Sequence, residues 1–318
     1  MFVTFASIMN KQKIINKILN QRYFYMGIAM LLVVLYHCYC AIPTLPIFPI
    51  FSKGYIGVDL FLFFSGLGLS YSYNNKTLKM FLQNRFTRIL PLYWIWAIVH
   101  LCVVCVQTHT FPTIIDVFGL FTTLSYYGIG AIRSNWYLSA LLFFYLFFPL
   151  LFKIINKWKW YALFVIAFIS AAFLYYFHFS WYHDAFIGRF YIFCLGIYVY
   201  SIKDKIRIID CVFTLLLVIV GIISLSSSKF QFWGISCICP AVIILLSLLP
   251  DSITKWRPII LCGQYSLEIF IANCWTMLLM GIVRIDPLSS CIIYFLSNVV
   301  FALVLIAINK NIQKRNMI

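Results

Sequence analysis

The sequence predicts an all-α protein, a polytopic membrane bundle of about ten transmembrane helices with both termini cytoplasmic, and three observations predict it. Of 318 residues, 64% are apolar and only 10% charged, whereas a soluble domain carries roughly 25% charged residues. The apolar residues come in runs close to the ~20 residues that a helix needs to cross the hydrocarbon core. The 24 cations outnumber the 8 acids, for a net charge of +16, and they stand in short clusters between the runs. A nucleic-acid binder gathers its cations on a soluble face. Here the pattern fits anionic membrane lipids as partners and excludes nucleic acid.

Cutting the chain at its polar clusters and Pro/Gly turns gives ten spans in order. The first, 23 to 42, follows Lys17 and Arg22 and stops at Pro43, and the second, 54 to 73, stops before Lys76. The third, 89 to 107, follows Arg85 and Arg88, and the fourth, 136 to 152, runs from Trp136 to the basic cluster at Lys153. The fifth and sixth, 160 to 178 and 186 to 202, lie between Lys159 and Lys203. The seventh and eighth, 209 to 226 and 230 to 249, are divided by a serine run and closed by Pro250. The ninth, 259 to 281, follows Arg257 and Pro258, and the tenth, 287 to 308, begins at Pro287 and ends before Lys310. The polar first twenty residues lead straight into a span, so no cleavable signal is expected. A single domain over 1 to 318 follows, with no internal repeat.

The stretch 114 to 131 is apolar enough for an eleventh span, but Asp116, Gly119, Gly128 and Gly130 interrupt it. Left outside as a loop or re-entrant segment, it makes six regions cytoplasmic. These carry Lys11, Lys13, Lys17 and Arg22; Lys76, Lys79, Arg85 and Arg88; Lys153, Lys157 and Lys159; Lys203, Lys205 and Arg207; Lys255 and Arg257; and Lys310, Lys314 and Arg315. Only Lys53, Arg133, Arg189, Lys229 and Arg284 remain. The positive-inside rule therefore favours ten helices with both termini cytoplasmic. Eleven cysteines are scattered, and the close pairs Cys38/Cys40, Cys102/Cys105 and Cys237/Cys239 fall in or beside apolar runs. They read as small buried hydrophobes, with no metal site and no disulfide framework.

An ionisable side chain at a helix centre costs roughly 2.5–3.5 kcal/mol on insertion scales, so each one inside a span is a site candidate. These are His37, Asp59, Arg189 and Glu268, with His100 a fifth. In the ten-helix topology the first three share a depth in the outer half. A His, a carboxylate and an Arg at one depth can deprotonate a hydroxyl, hold the imidazolium and stabilise an oxyanion. The same residues can equally form a buried structural ion pair beside a capping histidine. Ser266 and Glu268 sit in the inner half of the ninth span as a second polar cluster, and His100 reads as a satisfied core residue. Arg85 and Arg88, at i and i+3, lie on one face if helical and suit phosphates. Topology anchors on lipid phosphates would look the same. The outer segment from 108 to 135 carries His109, Phe111, Phe118, Phe121, Tyr126 and Tyr127 ahead of Trp136, fit for stacking a sugar ring or for an interfacial aromatic belt.

Several blocks in order resemble the acyltransferase-3 family of membrane O-acyltransferases. Gly27-Ile-Ala-Met-Leu-Leu-Val-Val-Leu-Tyr-His37 is similar to its first helix, and Gly57-Val-Asp-Leu-Phe-Leu-Phe-Phe-Ser-Gly66 to its second. Arg85-x-x-Arg88-x-x-Pro91 resembles its basic loop. Trp136-Tyr-Leu with Tyr145 and Pro149, Arg189 with Phe193 and Gly196, and Ser266-Leu-Glu-Ile-Phe-Ile-Ala-Asn273 resemble later blocks. The resemblance implies an O-acetyltransferase that passes acyl groups from cytoplasmic acyl-CoA, a donor substrate and no bound cofactor, to a glycan or lipid-linked saccharide. It implies His37 as base or acyl carrier, Asp59 as its orienter and Arg189 as an oxyanion or acceptor contact. Arg85, Arg88 and Arg22 would meet the CoA phosphates, and Asn135, Trp136, Tyr137, Ser266, Glu268 and Asn273 the acceptor. Three positions depart from the family pattern. Met26 stands where an Arg is usual, Leu141 where many members have a carboxylate, and Asn273 where a His ends the block. A transporter or flippase for a lipid-linked glycan, or an inactive scaffold, are the rival readings.

Overall fold

The computed structural model describes residues 16–44, 48–73, 76–177, 180–282 and 286–315. No strand occurs among them, and helices account for almost all of the described chain. In a bilayer every backbone N–H and C=O must be satisfied within the segment, which leaves the helix as the economical solution for such apolar runs. The helices of eight residues or more are α1 (Arg22–Ala41), α2 (Ile56–Tyr73), α3 (Leu78–Thr108), α4 (Ile114–Phe121), α5 (Trp136–Trp158), α6 (Trp160–Tyr176), α7 (Trp181–Ser201), α8 (Ile208–Ser224), α9 (Gln231–Ser247), α10 (Arg257–Gln264), α11 (Ser266–Ile282) and α12 (Pro287–Arg315). Six of these segments are long and apolar enough to cross a membrane: α1, α2, α3, α5, α9 with its preceding turn, and α12. The expected count of ten requires α6, α8 and α11, which are shorter, and the charged α7 to span as well. A 17-residue helix reaches about 26 Å at 1.5 Å per residue, a few ångströms short of a ~30 Å hydrocarbon core.

Several boundaries differ from the sequence reading, among them the ends of α5 and α12, which run on to Trp158 and Arg315. The segment Arg85–Pro91 is no loop, because α3 begins at Leu78 and carries Pro91 inside it. The proline removes only one ladder bond there, the one to the Thr87 carbonyl. The ninth span is broken at Tyr265 into α10 and α11. At Gly263 an added Cβ would lie 1.8 Å from the Tyr23 carbonyl. α10 is therefore pressed against the start of α1 before the chain turns. The stretch 114 to 131 forms an eight-residue helix and the 3-10 turn Leu124–Tyr127. Neither can span, in line with the loop reading. Lys11 and Lys13, Arg284, and the side chains of Lys314 and Arg315, all used in the charge count, lie outside the described residues.

The chain divides into two compact units. Unit 1 comprises Met1–Ala29, Ile56–Phe81 and Phe144–Gly263, and unit 2 comprises Met30–Tyr55, Leu82–Phe143 and Gln264–Ile318. Within unit 1, α2 packs on α7, α9 on α7 and α8, and α6 on α7. The α2–α7 crossing is made by glycines, since a Cβ at Gly66 would meet the Phe193 carbonyl at 2.1 Å, and one at Gly196 the Phe63 carbonyl at 2.1 Å. Small residues are how apolar helices gain close van der Waals packing where lipid offers no hydrophobic contrast. Phe144 stacks on Phe193 at 4.8 Å and Phe81 on Phe148 at 5.3 Å beside this crossing. Within unit 2, α11 pairs with α12. Pro287 opens α12, and the Asp286 carboxylate accepts the Ser289 amide at 2.9 Å as an N-cap.

Candidate functional site

His37 sits in the last turns of α1, on the part of that helix assigned to unit 2. Its Nδ1 is 3.0 Å from the amide oxygen of Asn273 on α11. A carbonyl oxygen only accepts, so this bond places the proton on Nδ1 and leaves Nε2 with a lone pair. Asn273 is itself fully buried, and Tyr294 of α12 lies 3.2 Å from the same oxygen while donating to the Val34 carbonyl at 2.8 Å. Tyr294 thereby ties α1, α11 and α12 together at the depth of the imidazole. The next residue, Cys274, accepts from the Asn135 amide nitrogen at 3.3 Å, and Asn135 Oδ1 caps α5 by accepting the Leu138 amide at 3.1 Å. One turn before Asn273, Phe270 meets the Tyr137 ring at 4.9 Å. The block 270–274 thus gathers His37, Asn135 and Tyr137, three residues picked out separately in the sequence, and Trp136 lies beside Tyr137 at 6.0 Å.

Asp59 and Arg189 meet inside unit 1. The Arg189 Nε lies 3.3 Å from Asp59 Oδ2, and the two side chains are 1% and 0% exposed. Ser236 of α9 donates to the other carboxylate oxygen. The guanidinium also donates to the Ala185 carbonyl at 3.3 Å and lies over the Phe232 ring at 4.7 Å. A buried pair survives only when such extra partners occupy the remaining protons and lone pairs. The partner of His37 Nδ1 is Asn273, and the Asp59 oxygens are engaged by Arg189 and Ser236.

The remaining candidates are dispersed. Arg85 is half-buried and Arg88 exposed on one face of α3. Arg22 packs against α2 in unit 1, where a Cβ at Gly68 would lie 2.8 Å from its Nη1. Glu268 is buried and accepts from Asn309 of α12 at 2.5 Å, which makes it a helix-pairing contact, while Ser266 is buried near the start of α11. His100 stacks on Trp96 at 4.8 Å. The segment before Asn135 is folded on itself. Asp116 accepts from the Ala131 amide at 2.6 Å and from the Thr113 hydroxyl and amide at 2.7 and 3.0 Å. The Ala131 amide first, then Thr113, hold this solvent-accessible carboxyl below the usual carboxylate range.

Ser236, Tyr294 and Asn309 were not marked by the sequence reading. A single hydroxyl or amide in an apolar run is common, and only the tertiary partner distinguishes these three. Among the described residues no group of three or more His, Cys, Asp or Glu is placed to hold a metal ion. No curated protein and no solved structure matches the chain. Residues 27–308 match the acyltransferase domain family, and the chain belongs to that family.

Proposed function

We propose that this member of the acyltransferase domain family is a multi-pass O-acyltransferase of the inner membrane. It would move an acyl group, acetyl in the first instance, from cytoplasmic acyl-CoA to a hydroxyl of a cell-surface or lipid-linked glycan. One observation carries the reading: the His37–Asn273 hydrogen bond fixes the tautomer in which Nε2 is a base. An imidazole can take up a proton and return it within one reaction, and the bond holds its ring in one orientation. The acceptor hydroxyl gives its proton to Nε2 as its oxygen attacks the thioester carbonyl. The C–S bond then breaks, and the CoA sulfur leaves with the proton returned by the imidazolium. Asn135, Trp136 and Tyr137, drawn together around the 270–274 block, supply the polar and aromatic surface for the acceptor. The Asp59–Arg189–Ser236 cluster keeps α2, α7 and α9 in register, and Arg189 is engaged there ahead of any oxyanion role.

Arg85 and Arg88 stand three residues apart in the first turns of α3, so both can address the donor's phosphates through charge-assisted bonds. With purified protein, labelled acetyl-CoA and a glycan acceptor, Arg85→Gln together with Arg88→Gln should raise KM for acetyl-CoA about tenfold or more, with a smaller change in kcat. Unchanged KM in correctly inserted protein would leave the pair as topology anchors. Absence of any acyl transfer by the wild type would sink the enzyme reading.

A further inference from the structure

Unit 1 contains an apolar cavity of about 330 Å³ bounded by α2, α7, α8 and α9 and open on one side. Phe63, Leu195, Val218, Pro240 and Ile243 are among its walls. An apolar cavity of ~150 Å³ is enough to stay dry and admit benzene, so this one has room for a longer hydrocarbon. The polar side chains on its lining are turned to one another or to their own helix. Tyr198 donates to Asp210 at 2.5 Å, the Arg207 amide occupies the other Asp210 oxygen at 2.7 Å, and Thr214 donates to the Asp210 carbonyl at 2.8 Å. The interior therefore offers a polar guest nothing to bond. The cavity opens beside Leu215 and Ile244, which are 60% and 43% exposed on a helix surface that is apolar throughout.

The end at Asp210 is different. Ile18 and Ile206 line it, and the chain around them carries Lys17, Lys205 and Arg207. Lys159 reaches the same segment, donating to the Ser201 carbonyl at 3.0 Å. Lys17 is paired with Asp251, Lys203 with Asp204 and Arg207 with Asp210. Lys205 is exposed and makes no ion pair among the described residues. A dry apolar slot with a cationic rim is complementary to one amphiphile, a hydrocarbon chain with an anionic head. We propose that the slot holds one acyl chain of an anionic phospholipid, with the headgroup phosphate at Lys205 and the Arg207 rim. The inner end of the chain would rest against Phe63 and Pro240, each one helical turn from Asp59 and Ser236, so the lipid would brace the α2–α7–α9 junction that holds the buried ion pair.

The test uses the full chain in phosphatidylcholine vesicles doped with phosphatidylglycerol carrying a diazirine in its acyl chain. Photolabelled peptides are then mapped by mass spectrometry. Labelling should concentrate in 195–218 and 240–244. Ala241→Trp and, from the opposite wall, Val218→Trp should each lower it about tenfold, with Leu216→Trp on the outer surface of α8 as an unaffected control. Lys205→Gln should abolish the preference over the same diazirine chain on phosphatidylcholine. Even labelling of all lipid-facing helices, or labelling untouched by both slot-filling variants in folded protein, would overturn the proposal. So would equal labelling by the two headgroups in the wild type, or slot peptides shielded from both lipids by a second copy of the chain.

Discussion

Asp59 and Arg189 illustrate how cost reveals a residue. Each was visible in the sequence because a charge in an apolar run needs a compensating partner. That they partner each other was one of two readings left open there, since 130 residues separate them and no spacing rule decides between a structural pair and a catalytic cluster. Ser236 was invisible for the opposite reason: a lone serine in a span is cheap and common. Removing one member of a buried pair typically costs about 3–5 kcal/mol, because the other charge is left uncompensated. Arg189→Leu should therefore lower thermal stability in detergent by about that amount, and Asp59→Asn combined with Arg189→Leu should be milder than Arg189→Leu alone. A double variant as damaged as the sum of its parts would show that the two side chains act separately. His37 was legible on the same grounds of cost, but Asn273 appeared as an acceptor contact and a departure from a family pattern, not as the partner of His37. Its role at Nδ1 follows from the backbone of α11, which brings residue 273 to the end of α1.

At the scale of elements, the long apolar runs were read as helices, but a charge cluster did not always end one: α5 runs past Lys153 to Trp158 and α12 past Lys310 to Arg315. The sequence was poorer where an end depends on packing. The start of α3 was placed late because the Arg85/Arg88 cluster was taken as the edge of the span, and the turn at Tyr265 was missed because no proline or charge cluster marks it. The compact segment between α3 and α5 was recognisable from its interrupting glycines and Asp116. Asp116 accounts for much of that segment's order, and its chemistry fixes a pH dependence. Its folded value is depressed, so the clasp contributes fully above the ordinary carboxylate range near 3.9 and is lost as pH falls through the folded value. Hydrogen exchange of peptides from 109–135, corrected for intrinsic rate, should be the same at pH 7 and 5 and rise below about pH 4. Asp116→Asn should show the raised exchange already at pH 7. Equal protection in wild type and variant would mean that the segment is held elsewhere.

For the molecule as a whole, charge distribution carries the orientation that helix lengths alone leave open. The ten-helix arrangement would put 19 of the 24 cations on one side, with 108–135 on the other. An impermeant maleimide should therefore label Thr113→Cys in intact cells above the background of native cysteines. Labelling only after the membrane is opened would contradict that orientation. The division into units also has a functional side: the buried ion pair belongs to one, and the histidine with its amide partner to the other. On this account the chemistry belongs to His37 in the tautomer set by Asn273, and acyl transfer measured at matched levels of folded protein tests it most directly. His37→Gln should lose about 10²–10⁴ in rate. Asn273→Leu should lose less on its own and almost nothing further in the His37→Gln background, because residues acting as one unit are not additive. Near-normal turnover by His37→Gln, or two losses that simply multiply, would contradict the assignment of the active site.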